Sequence, residues 1–189
     1  MSNITKAICE SLTVVELLRR GWHVVNLNAV NNTPNADLIA IKASSRITLQ
    51  VKGTDGRAGQ PFPHTVSFAR SCEKFLTQQT PFFNSKQSPV QADFFVGVTQ
   101  APGTQSFLIM PISAAESLAR EIASWWYQVP TVDGRLRSPN FAALVAIREE
   151  GIIGGQWRCA REAHFRKAAP YIDNWGILDD VQTSAIGGT

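Results

Sequence analysis

The stretch that most constrains the fold is residues 35–53, N-A-D-L-I-A-I-K-A-S-S-R-I-T-L-Q-V-K-G. It holds two apolar runs, residues 37–41 and 47–52, separated by a polar insert around Ser44 and Ser45 with the composition of a hairpin turn. Successive strand side chains point to opposite faces, so Ile47, Leu49 and Val51 fall on one side while Thr48, Gln50 and Lys52 share the other. A lysine set mid-strand among apolar neighbours needs a reason. A divalent-metal centre that cleaves phosphodiesters supplies one: acidic and carbonyl oxygens grip the ion, while the lysine holds the attacking water or stabilises charge on the phosphate.

The rest of the chain alternates helices with strands. Ile4, Ile8, Leu12, Val15 and Leu18 recur at three- and four-residue spacing and predict a helix over residues 5–20 with that stripe as its apolar face, stopped by Gly21. Residues 22–27 read as a strand, and residues 53–63, rich in Gly and Pro, as a long loop placed to carry binding contacts. A second helix is expected over residues 66–79, with Phe68, Cys72, Phe75 and Leu76 on one side. Residues 92–99 and 106–110 read as strands joined at Pro102-Gly103, and Ser113 and Glu116 form a capping-box pattern opening a helix over residues 113–127. A strand over 141–147, a helix over 160–167 and a closing segment over 170–180 packed through Tyr171, Trp175 and Leu178 complete the pattern. The expected class is α/β, a mixed central sheet flanked by helices on both faces, as one domain over residues 1–182 with a loose tail over 183–189.

Composition narrows the partners. No apolar run approaches the roughly 18 residues needed to span a bilayer, and the first residues lack the apolar core of a signal peptide, so a cytoplasmic protein with no membrane partner is expected. Three scattered cysteines, Cys9, Cys72 and Cys159, do not make a disulfide framework, and Cys159 and His164 lack the second pair that a zinc site needs. Residues 1–92 hold ten Lys/Arg against five Asp/Glu, and residues 93–189 eight against ten. The basic half therefore contains the candidate metal site, as suits a polyanionic partner.

Turning each residue by about 100 degrees along the first helix puts Glu10 on the flank of the stripe beside Val14 and Leu17, and Glu16 toward the polar side. A carboxylate at the rim of a buried face needs a positive partner, either Lys52 or a metal ion. Glu10, then Gly21, a hydrophobic strand, N-A-D-L-I-A and I-T-L-Q-V-K together resemble the PD-(D/E)XK nuclease superfamily, closest to its Holliday-junction-resolvase and Mrr-like restriction endonuclease types. The specific motifs cover residues 5–53; from 54 to 112 only the order of elements is similar. Asn35-Ala36 stands where the family has its proline, and Gln50 stands at the acidic position, as in the Mrr-like subgroup.

The resemblance implies a restriction-endonuclease-like fold and Mg2+-dependent DNA cleavage, with Mn2+ as a substitute. It makes Asp37, Gln50 and Glu10 metal ligands and Lys52 the catalytic lysine, with DNA as partner and a homodimer as the form that cuts both strands. A glutamine oxygen binds a divalent ion more weakly than a carboxylate, so Glu10 and Asp37 are expected to supply charge and Gln50 geometry. Singly, each residue also has an ordinary role: Asp37 in a turn, Lys52 reaching to solvent, Glu10 in a surface ion pair. His64 fits a plain loop, Arg158, Arg161, Arg166 and Lys167 a solvated helix face paired with Glu162, and Trp125-Trp126 a core or subunit contact. The competing function is a catalytically degenerate module of the same fold that binds DNA or a protein in a restriction, toxin or immunity system.

Overall fold

Alternation along the central strands divides the apolar side chains into two cores, one on each face of a five-stranded sheet. The computed structural model describes residues 3–29, 35–54, 64–69, 83–84, 88–101, 104–130, 133–135, 143–152 and 158–180. Helix α1 (Asn3–Arg19) leads into β1 (His23–Asn26) and a single 3-10 turn (Leu27–Ala29), followed by β2 (Leu38–Lys42) and β3 (Ser45–Thr54). Then come β4 (Thr65–Ala69), β5 (Phe94–Ala101), β6 (Thr104–Pro111), helix α2 (Ile112–Gln128), β7 (Ala143–Ala146) and helix α3 (Arg158–Ala168). A 3-10 turn (Glu149–Gly151) lies between β7 and α3, and two more, Ala169–Tyr171 and Trp175–Leu178, follow α3.

The main sheet runs β1-β2-β3-β5-β6, with β3 and β5 parallel and every other neighbouring pair antiparallel. This is the expected mixed sheet with helices on both faces. On one face Leu38, Ala40, Ile47, Leu49, Val51, Val96, Val98 and Ile109 pack against Cys9 and Leu17 of α1 and against Trp175 and Leu178. On the other, Phe95, Leu108 and Met110 meet α2, and β4 pairs with β7 as a second, two-stranded sheet in the same core. Phe95 is flanked by the tilted rings of Phe68 and Phe83, each centroid 4.9 Å away. The closing segment is held on β6 twice: Asp173 N–H donates to Phe107 O at 2.7 Å, and Phe107 N–H donates to Asp173 Oδ1 at 2.8 Å. No helix of the described residues is long and apolar enough to cross a membrane.

Three expectations are corrected. The stripe read as the buried face of α1 points outward: Ile4 is 71% exposed and Leu18 54%, with Ile8 and Val15 also exposed. The face that packs is Thr5, Cys9, Glu10, Thr13 and Leu17, with Leu12 and Val14 partly buried against the same core. Thr13 is accommodated there by donating its hydroxyl to Cys9 O at 2.9 Å. Second, residues 65–69 form β4 rather than the start of a helix; Val66 and Phe68 alternate into the core, and the backbone pairs with β7. The remainder of that expected helix, the Pro102-Gly103 turn and the tail over 183–189 lie outside the described residues. Third, the capping box does not form: α2 begins at Ile112 behind Pro111 with no side-chain cap, and Glu116 accepts from Phe83 N–H at 3.4 Å.

Helices α2 and α3 meet at His164, which is 4% exposed, lies edge-on to the Trp125 ring at 5.4 Å and has Nε2 3.9 Å from Glu121 Oε1. Burial holds its pKa below the ordinary 6.5; Glu121 pulls upward, while Lys167 and Arg161 add to the depression. The unfolded chain therefore takes up a proton near pH 6.5 that the fold resists, so stability is full above that value and falls as pH drops toward the folded pKa. Urea midpoints should decline between pH 7.5 and 5.5, and His164→Gln should flatten that slope; an unaltered slope in the variant would remove His164 as its source.

Candidate functional site

The site begins with backbone geometry at the start of β2. Asp37 N–H donates to Leu49 O at 2.8 Å, and Asp37 O accepts from Leu27 N–H at 2.9 Å, so the residue is held between β3 and the 3-10 turn. The β2–β3 ladder has its last pair at Leu38 and Leu49. Beyond it the Asp37 side chain takes over: Oδ2 accepts the Val51 N–H at 2.7 Å and a short hydrogen bond from Gln50 Nε2. The carboxylate thereby satisfies a strand amide where the β2–β3 ladder stops. Asp37 is 2% exposed and Gln50 6%.

Glu10 arrives from the opposite direction. Helix α1 crosses β3 at Gly53, where a methyl group would overlap Cys9 Sγ and lie 2.9 Å from both Cys9 Cβ and Val98 O. Only a residue without Cβ admits the helix so close, and that approach buries Glu10, next to Cys9, beside Asp37. Asn28 joins the two carboxylates: its Nδ2 donates to Glu10 Oε1 at 3.0 Å and to Asp37 Oδ1 at 2.6 Å. Asn26 Nδ2 reaches Glu10 Oε2 at 3.4 Å, and its own Oδ1 accepts the Asn28 N–H at 2.9 Å, a local turn bond that aims Asn28 inward. Lys6, one helical turn before Glu10, lies 3.6 Å from Glu10 Oε1 and 3.4 Å from Asp37 Oδ1.

Of the four residues singled out in the sequence, Asp37 and Gln50 are directly bonded, and Glu10 is joined to Asp37 through Asn28. Lys52 is half-buried on β3, two residues after Gln50 and in register with Gly97 of β5. Sequence reasoning missed Lys6, Asn26 and Asn28. For Lys6 a signal existed, its four-residue spacing from Glu10 on one helix face. His64 stands at the start of β4 with its carbonyl accepting from Ile147 N–H at 3.0 Å. Arg166 and Lys167 pair with Glu162 and Glu121, each at 2.6 Å, as a solvated helix face does.

Among the described residues no three His, Cys, Asp or Glu side chains gather as metal ligands. What gathers is two carboxylates with amides. The donor set is nonetheless all oxygen, and Asn28 Oδ1 is buried and accepts no hydrogen bond from the described residues. Mg2+ is commonly held by only one or two carboxylates, with water and substrate phosphate completing the shell, so the Glu10 and Asp37 oxygens suit a hard cation, while Gln50 turns its amide nitrogen to Asp37.

No family model matches the chain, and no curated protein matches it. Among solved structures it is similar to the bacterial homing endonuclease I-Ssp6803I, with 15% identity and a TM-score of 0.41 over 60% of this chain and 67% of that one.

The close helix crossing has a measurable consequence. Gly53→Ala should lower stability by about 1–3 kcal/mol, the usual cost of overpacking, and Cys9→Ala in the same chain should recover part of the loss. A thermal midpoint for Gly53→Ala equal to wild type would show that α1 does not depend on the contact.

Proposed function

We propose that the protein is a metal-dependent DNA endonuclease of the PD-(D/E)XK kind, with Glu10, Asp37 and Gln50 holding Mg2+ or Mn2+ and Lys52 as the catalytic lysine. The observation that carries this reading is the meeting of Glu10 and Asp37 on one amide, Asn28 Nδ2, with Gln50 bonded to the far oxygen of Asp37. Two carboxylates this deeply buried and this close together repel each other and are poorly solvated, so their juxtaposition calls for positive charge, which Lys6 supplies in part and a divalent cation would supply more fully. When bound there, a divalent cation supplies Lewis acidity and charge neutralisation for phosphodiester hydrolysis. Asp37, fixed by the Val51 N–H, presents its other oxygen without having to reorganise. Gln50 orients Asp37 from the neighbouring strand position. Lys52, further along the same strand face, offers a cation to the phosphate oxygens where negative charge grows during attack. The basic first half of the chain suits DNA as substrate, and a homodimer would deliver one such site to each strand.

A second reading is a nuclease-fold module that binds DNA or protein without cutting. It is favoured by the position of Lys6, which already supplies positive charge to both carboxylates. Plasmid and four-way-junction DNA distinguish the two. Wild type should nick at least one of them with Mg2+ or Mn2+ and lose this with EDTA, while Asp37→Ala and Lys52→Ala should each fall by about 10²-fold or more. Gln50→Ala should be impaired less. Because Asp37→Ala also strands a buried N–H, Asp37→Asn serves as the folded control. Wild type that leaves all DNA forms intact while still binding them would establish the module instead.

A further inference from the structure

Two cationic or amide donors converge on the same pair of oxygens. Lys6 Nζ lies 3.6 Å from Glu10 Oε1 and 3.4 Å from Asp37 Oδ1, and Asn28 Nδ2 donates to those same two atoms at 3.0 and 2.6 Å. The Lys6 ammonium thus stands against the two oxygens that a hard cation bridging the carboxylates would also seek. The environments are unequal: the Glu10 and Asp37 side chains are 6% and 3% exposed, whereas that of Lys6 is 31% exposed. Its ammonium can withdraw to water along a flexible four-carbon stem, and the carboxylates cannot follow.

We propose that Lys6 is a displaceable counter-ion of the site. It holds Glu10 and Asp37 together in the metal-free protein, competes with the divalent cation for their facing oxygens, and so sets the cation concentration at which the site loads. Asn28 shares this role only in part. An amide is neutral and can turn its oxygen toward a cation, and Asn28 Oδ1 is the buried oxygen that accepts no hydrogen bond from the described residues. Lys6 has donors alone and carries charge, so it must leave if a divalent ion is to come between the carboxylates. The inference rests on the reading of Glu10 and Asp37 as metal ligands, and it adds a threshold to that reading. Once displaced, Lys6 lies at the rim of the site with its charge available to an incoming phosphate.

The probe is Mn2+ alone, followed by titration calorimetry and by thermal shift on the full chain without DNA. Lys6→Met keeps the aliphatic stem and removes the charge. It should bind Mn2+ at least about tenfold more tightly than wild type, since like-charge repulsion between the ammonium and the ion is gone. Its thermal midpoint should lie below wild type without metal and rise more on adding Mn2+. Lys6→Arg, which keeps the charge, should bind no more tightly than wild type. If Lys6→Met does not fold, Lys6→Gln provides the same comparison. Wild-type or weaker Mn2+ affinity in folded Lys6→Met, with binding abolished in Asp37→Asn, overturns the displacement and leaves the metal reading intact. No Mn2+ binding by either wild type or Lys6→Met overturns both.

Discussion

The Asp37 carboxylate is the interaction on which the rest of the site depends. Its Oδ2 takes the Val51 N–H and the Gln50 amide, and its Oδ1 takes Asn28 and Lys6. An ionised carboxylate removed from water costs several kcal/mol unless hydrogen bonds and opposite charge replace its hydration. Four groups from two elements and a turn provide that replacement: α1, the 3-10 turn and β3 all reach the same side chain. The side chain therefore fixes more than its own position. It ends the β2–β3 ladder without leaving a strand amide unpaired, and it orients the amide of Asn28 toward Glu10.

The second constraint is the distance between α1 and the sheet. Glu10 reaches Asp37 because Cys9 rests on Gly53, and the face of the helix seated there buries Cys9, Thr13 and Leu17, with Leu12 and Val14 partly buried at its edge. Packing at short range is favourable through many small dispersion contacts rather than through large buried area. The larger side chains of the helix, Ile4, Ile8, Val15 and Leu18, are left on the outside as a consequence. A site built from a buried glutamate and a site built on a conventional apolar helix face are in conflict here, and the glutamate prevails.

This conflict also explains what the sequence disclosed and what it concealed. The alternation of Ile47, Leu49 and Val51 against Thr48, Gln50 and Lys52 was readable because period two has one structural meaning in an amphipathic strand. Asp37 and Gln50 were singled out together through the family resemblance, and the bond between them is a finding of the structure. The α1 stripe was misread because periodicity identifies a helix and an apolar side but not which side the sheet approaches, and the deciding residue, Gly53, lies on another element. Phe68 opens a spacing with Cys72, Phe75 and Leu76 that reads as a helical period, and only pairing with distant β7 reveals Val66 and Phe68 as strand residues. Asn26 and Asn28 were invisible because asparagine near a strand end is ordinarily a turn residue, and here each is one, with its side chain serving a second purpose.

The parallel pairing of β3 with β5 separates the cluster in sequence from the strand that backs it. Lys6, Glu10, Asn26, Asn28, Asp37 and Gln50 all belong to the first fifty residues, whereas the strand that backs β3 begins at Phe94. Antiparallel neighbours can zip from a tight hairpin, but a parallel joint waits until the intervening chain has looped back. The groups of the cluster therefore sit close together in the chain, on α1 through β3, whereas the strand paired in parallel with β3 is separated from them by a long loop closure.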